Sequence, residues 1–203
     1  KLIHISTDYV FSGTDNSPYL ERDVVGPTSV YGRSKLAGEN AIRDSLTKHI
    51  ILRTSWVFGA VGNNFVKTML RLAQSRDELR VVADQFGAPT SASAIAKTIA
   101  TVISQLADAG KLDARWGTYH FSGYPFVSWS GFADEIFSQA LSRGLMESLP
   151  KVNPVGTVEY PTPAARPTNS RLDCSKLQRT FGIGPDDWKR SLGFVLDELK
   201  ERI

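Results

Sequence analysis

Two short apolar runs, each cut off by a polar cluster, constrain this chain most. Leu2-Ile3-His4-Ile5 runs into "STDYVFSG" at Ser6 to Gly13, and "HIILRTSW" at His49 to Trp56 repeats the pattern. Between them Val30, Leu36, Ala37, Ala41, Ile42 and Leu46 recur at helical spacing. Strand, helix and strand in that order make a parallel crossover, and hence an α/β fold. Further strands are expected at Leu79–Ala83 and Tyr119–Phe121. Further helices are expected at Asn63–Ala73, Ser91–Leu106, Ser128–Ser142, Leu172–Phe181 and Pro185–Ile203. Gly13–Thr28 reads as a long loop. Residues 150–170 hold five of the ten prolines and read as a strand followed by an extended covering loop.

The 203 residues, 41% hydrophobic, suffice for one domain with a sizeable core or for two small ones. The net charge of +3 is mild and its Lys and Arg are interspersed with Asp and Glu, so no nucleic-acid partner is expected. Cys174 is the single cysteine and has no internal disulfide partner, which fits a reducing, cytoplasmic setting. No apolar run approaches about 18 residues, so no membrane span is expected. Lys1 enters a strand at once, as in a piece of a longer protein.

"YGRSK" places Tyr31 and Lys35 one helical turn apart on one face. A phenol ordinarily titrates near about 10, and a neighbouring ammonium favours its ionised form. Such a phenol can deliver a proton to a carbonyl oxygen as hydride reaches the carbon. Ser6 or Thr7, at the carboxyl end of the first strand, stands where ligands of open α/β sheets bind and can orient that carbonyl. Taken alone, the Tyr-x-x-x-Lys spacing also fits a solvated helix face. No GxGxxG fingerprint is present; "FGAVGNNF" lacks its spacing. No metal-ligand set is expected.

Taken together, "STDYVFSG", "PYLERD", "GPTSVYGRSKLAGE", "LRTSWVFG", "NFVKTML", "VVADQFGAPT", "YHFSG" and "ARPTNSRLDCSKL" resemble the extended short-chain dehydrogenase/reductase superfamily. Within it they resemble the dTDP-4-dehydrorhamnose reductase family, across nearly all of the chain. The resemblance implies a partial Rossmann-like, doubly wound parallel sheet plus a small carboxyl-terminal α/β substrate-binding portion. It implies reduction of a 4-keto-6-deoxy sugar nucleotide to dTDP-L-rhamnose, with NADPH or NADH. Tyr31 matches the proton donor. Lys35 matches the lysine that tunes it and holds the nicotinamide ribose, and Thr7 matches the hydroxyl on the substrate carbonyl. Asp8, Tyr9 and Trp56 match residues of the sugar pocket, and Arg166 lies in a segment similar to the wall over the diphosphate.

Two departures accompany the match. The family's first βα units, with the glycine-rich cofactor loop, are missing; roughly ninety to a hundred residues, or three to four such units, would precede Lys1. After "GAPT" the family's aromatic and acidic residues are replaced by "SASAIA". The expected division is 1–85 as the end of the Rossmann-like portion with the Tyr31/Lys35 pair, and 86–203 as the mainly substrate-binding portion, intertwined with it. The expected partners are a nucleotide-sugar substrate and either a homodimer mate or a strand pairing along the open edge of the first strand. Two alternatives are a related sugar-nucleotide epimerase or dehydratase, and a non-catalytic protein like the regulatory subunit of methionine adenosyltransferase. His4, His49 and His120 read as structural, Gly87 as a turn former and Cys174 as packed.

Overall fold

The computed structural model describes residues 1–160 and 166–202. The centre of the expected covering loop, 161–165, and the last residue of the final expected helix lie outside them. A parallel three-stranded sheet has the order β1 (Leu2–Thr7), β2 (His49–Thr54) and, later in the chain, the strand Gly117–His120. Glu78–Val82, here β3, pairs in parallel with Lys151–Val155; Gly117–His120 is β4 and Lys151–Val155 is β5. Both pairings join strands from either side of residue 85.

Six helices cover these strands: α1 (Val30–Ser45), α2 (Phe65–Ala73), α3 (Ala92–Gln105), α4 (Trp129–Ser142), α5 (Ser175–Phe181) and α6 (Trp188–Lys200). Side-chain caps fix several starts. Ser29, Asn64, Ser91, Ser128 and Asp187 each accept a backbone N–H from the first turn that follows. The α5 helix begins at Ser175 rather than at Leu172, because Leu172 is engaged in a bridge to Tyr19. The last helix begins at Trp188, past Pro185, at the Asp187 cap.

Three apolar clusters hold the molecule. In the first, Phe132, Ile136 and Phe137 of α4 pack with Val66, Leu79, Val81, Trp188 and Leu192. Each large side chain so buried contributes about 1.5–3 kcal/mol relative to exposure. In the second, Ile50, Leu52, Tyr119 and Phe121 meet Ile95 and Val102 of α3 and Leu177 and Phe181 of α5, with Ile3 packed alongside. The third joins Val10, Phe11, Tyr19 and Leu172.

The apolar run of β1 suggests a strand buried on both faces, and the structure differs. Among the described residues β1 pairs with β2 alone; Leu2 is exposed and Ile5 is 45% exposed. Only its carboxyl end, Ser6 and Thr7, is buried. No described helix of this chain is long and apolar enough to cross a membrane.

Candidate active site

The carboxyl ends of β1 and β2 open into a cavity of about 560 Å³. Thr7, Asp8, Tyr9, Tyr31, Lys35, Trp56 and Arg166 all line it, joined by Ile5, Ser6, Thr54, Ser55 and Val57. Every candidate catalytic or binding residue named from the sequence therefore lines one cavity.

Local chemistry builds the near wall. Where β1 ends, Thr7 caps a single 3-10 turn, Asp8–Val10, its hydroxyl accepting from the Tyr9 N–H at 3.2 Å. The same hydroxyl donates to Asp8 Oδ1 at 3.1 Å. Asp8 is 4% exposed, and burial pushes its carboxyl up to about 6, against the opposing effect of the Ser170 and Thr7 hydroxyls. Burial likewise raises the Tyr9 phenol, helped by Asp8 and opposed by the Arg166 guanidinium.

The α1 helix presses against that turn at Gly32. A Cβ there would stand 2.2 Å from the Tyr9 carbonyl oxygen, so only glycine permits the approach. Its consequence is that Tyr9 and Tyr31 meet edge to face, ring centroids 5.7 Å apart. Tyr31 is 55% exposed at the cavity mouth. One turn on, Lys35 Nζ donates to the Ile5 carbonyl at 2.6 Å and to His4 Nε2 at 3.4 Å. Burial and the adjacent Lys35 charge both lower the pKa of His4, with Glu39 acting the other way. An uncharged ring accepts that bond, so His4, read as merely structural from the sequence, anchors the ammonium.

The spacing continues beyond the Tyr31/Lys35 pair. Glu39 is fully buried and grips the guanidinium of Arg53 twice, at 2.9 and 2.7 Å. Burial works to raise the Glu39 pKa and is overcome by the bonds and charge of Arg53, leaving it below the ordinary value. Arg43 adds a bond at 2.6 Å to the same carboxylate. Tyr31, Lys35, Glu39 and Arg43 thus repeat every four residues down one side of α1. That repeat was the available signal for Glu39; the charge inside "HIILRTSW" was the signal for Arg53.

The far wall is Trp56. Its backbone takes φ 48°, rare for a bulky residue. Its indole stacks on that of Trp129, centroids 3.6 Å apart. Gly87 serves this wall and not a turn: a Cβ on it would stand 2.6–2.8 Å from three atoms of the Trp56 ring. Thr54 Oγ1, buried at the cavity, has no hydrogen-bond partner among the described residues. Arg166 is exposed at the rim. Cys174 lies away from this cavity, its thiol pushed up to about 11 by burial, the Ser122 contacts opposing.

A parallel α/β sheet with a phenol, an ammonium and a hydroxyl gathered at its strand ends is the architecture of Rossmann-like short-chain dehydrogenase/reductase enzymes. The chain belongs to the RmlD substrate binding domain family, whose model matches residues 1–201. It is 49% identical over 191 residues to a dTDP-4-dehydrorhamnose reductase of Aggregatibacter actinomycetemcomitans, covering 94% of this chain and 64% of that protein. The enzyme of the same name from Sinorhizobium fredii is 50% identical over 193 residues, covering 94% and 63%. The chain therefore spans a little under two thirds of the length of these relatives. Among solved structures, a dTDP-4-dehydrorhamnose reductase from Clostridium acetobutylicum superposes with a TM-score of 0.86 at 42% identity, over 98% of this chain and 65% of that one. A Bacillus anthracis enzyme solved in complex with NADP gives 0.86 at 39%, over 98% and 66%. A dTDP-glucose 4,6-dehydratase shares the fold at 15% identity, with a TM-score of 0.74.

Proposed function

We propose that these residues are the catalytic and sugar-binding portion of a dTDP-4-dehydrorhamnose reductase, which reduces the C4 ketone of a dTDP-4-keto-6-deoxy sugar to the alcohol of dTDP-L-rhamnose. The single observation that carries this reading is the convergence of Thr7, Tyr31 and Lys35 on one cavity walled by Trp56.

The residues present fit the nicotinamide end of a dinucleotide. An ammonium has three donors, and Lys35 directs two of them at Ile5 and His4, leaving one for a ribose hydroxyl. Thr54 Oγ1, a buried hydroxyl with no partner among the described residues, lines the same cavity. NADPH or NADH, when bound, supplies the hydride for C4. Tyr31 Oη gives its proton to the ketone oxygen. Thr7 turns its hydroxyl from Asp8 Oδ1 to that oxygen and holds it in place. Asp8 and Tyr9 stand beside the sugar. Arg166 at the rim matches the two-pronged geometry of a diphosphate.

Two measurements test this reading. Tyr31→Phe in the complete protein is expected to lower kcat by at least about 100-fold while leaving sugar-nucleotide binding intact. Near-normal turnover would reject Tyr31 as the proton donor. Residues 1–203 alone, which contain no glycine-rich diphosphate loop, are expected to bind NADPH weakly by calorimetry; tight binding would place the cofactor site elsewhere than proposed.

A further inference from the structure

Trp56 is the one non-glycine residue with positive φ among the described residues, and its strained backbone is pinned from outside the cavity. The Thr90 N–H donates to its carbonyl at 3.2 Å, and the following residue, Val57, pairs with Thr90. Strain of this kind persists only where the surroundings over-determine it. The indole itself is held by Trp129 and bounded by Gly87. Trp129 sits in the first turn of α4, behind the Ser128 cap, with Phe65 of α2 against it at 4.6 Å. It does not line the cavity. The helices that support it belong to the apolar core built around Phe132 and Ile136, apart from the strand ends that present Thr7 and the α1 turn that presents Tyr31.

We propose that Trp129 is a positioning residue for sugar recognition: its stack, together with the bare Gly87, fixes the Trp56 indole as the wall against which the sugar ring is held. This rests on the reading of the cavity as a sugar-nucleotide site. Trp129 acts on the ligand through Trp56 alone. Because Trp129 is not among the residues that line the cavity with Tyr31 and Lys35, the wall governs sugar affinity and leaves the proton donor untouched.

The complete protein provides the test. Trp129→Ala is expected to raise KM for the sugar nucleotide roughly 3- to 10-fold, the effect of losing one aromatic stacking partner. The KM for NADPH and kcat at saturation are expected to stay within about twofold. Trp129→Phe keeps a stacking ring and is expected to recover most of the affinity. Gly87→Ala, which crowds the indole and leaves Trp129 intact, is expected to reproduce the sugar-specific defect and covers the case in which Trp129→Ala does not fold. Two indoles this close couple their transitions, so the wild type is expected to show an exciton couplet by circular dichroism that Trp56→Phe and Trp129→Phe each abolish. An unchanged sugar KM in Trp129→Ala, where loss of the couplet shows that the stack is gone, or an equal rise in both KM values, overturns the proposal. Calorimetry with dTDP-L-rhamnose separates it from the reductase reading. Wild type that binds this product but reduces nothing defeats the reductase alone, whereas normal turnover with equal product affinity in wild type and Trp129→Ala defeats the positioning role alone.

Discussion

The two faces of the three-stranded sheet come from the same short strands and are filled in opposite ways. On one, Ile3, Ile50, Leu52, Tyr119 and Phe121 meet the apolar sides of α3 and α5. On the other, His4, Arg53 and Thr118 meet Lys35, Glu39 and Arg43 of α1. The first face needs only volume and tolerates sliding between like shapes. The second is directional: a bidentate guanidinium–carboxylate pair fixes one register and no other. α1 buries only Gly32 and Glu39, so little apolar area holds it. The face under α1 is thus organised to set where Tyr31 and Lys35 stand, and the opposite face to supply cohesion.

Glu39→Gln is the largest break in this comparison. It leaves the Arg53 guanidinium, 2% exposed, buried without a counter-charge. Breaking such a pair costs about 3–5 kcal/mol, readable by urea unfolding. Replacing both partners, as Glu39→Leu with Arg53→Met, is expected to return stability close to wild type, since the desolvation cost also disappears. Turnover is expected to stay low in the double variant, because the register of α1 is no longer specified. A double variant that recovers stability and turnover together would show that packing alone positions Tyr31.

Next in size is a pH effect from the cavity floor. The folded Asp8 carboxyl holds its proton up to about pH 6, against an unperturbed value of 3.8. The folded state therefore binds the extra proton between those values, and this group makes stability fall as pH rises through that window. Above pH 6 the full cost is present, on the order of 3 kcal/mol from a two-unit shift. Asp8→Asn is expected to unfold at a higher temperature than wild type at neutral pH, the gain vanishing near pH 4. His120 works in reverse: burial and the Arg53 charge lower it to about 3, so its contribution is lost as pH falls from 6.5. Both proteins carry His120, and it cancels in their difference. A pH-independent difference would remove Asp8 as a buried, titrating group.

This contrast also explains how far the sequence could be read. The main helices announce themselves: Val30–Leu46 and Ser128–Ser142 carry helical periodicity, and α1 and α4 fall within a residue of those bounds. The candidate site was legible as a place as well, because strand ends and the Tyr31/Lys35 spacing are local signals, and one cavity gathers the candidates. What was hidden is non-local. Arg53 and Glu39 look like ordinary charges until β2 and α1 are packed together. Gly87 looks like a turn until the Trp56 ring is placed against it. The pairing of β3 with β5 joins residues some seventy positions apart, with no motif to report it.

The smallest effect discriminates most finely between a clamp and a network. Arg43 bonds the same Glu39 oxygen as Arg53, at 2.6 and 2.7 Å, yet its side chain is 33% exposed against 2%. Water can replace the Arg43 guanidinium, while nothing replaces that of Arg53. Arg43 also reaches Thr118 on β4 at 3.3 Å, a bond at the long end of the useful range. Arg43→Ala is therefore expected to cost less than about 1 kcal/mol, and less still in high salt, where exposed pairs are screened. Its turnover is expected to match wild type, since Arg53 alone keeps the register of α1. Urea unfolding at low and high salt reads both quantities. A loss approaching that of Glu39→Gln, insensitive to salt, would mean that all three charges act as one unit and that the buried Arg53–Glu39 pair is not the clamp by itself.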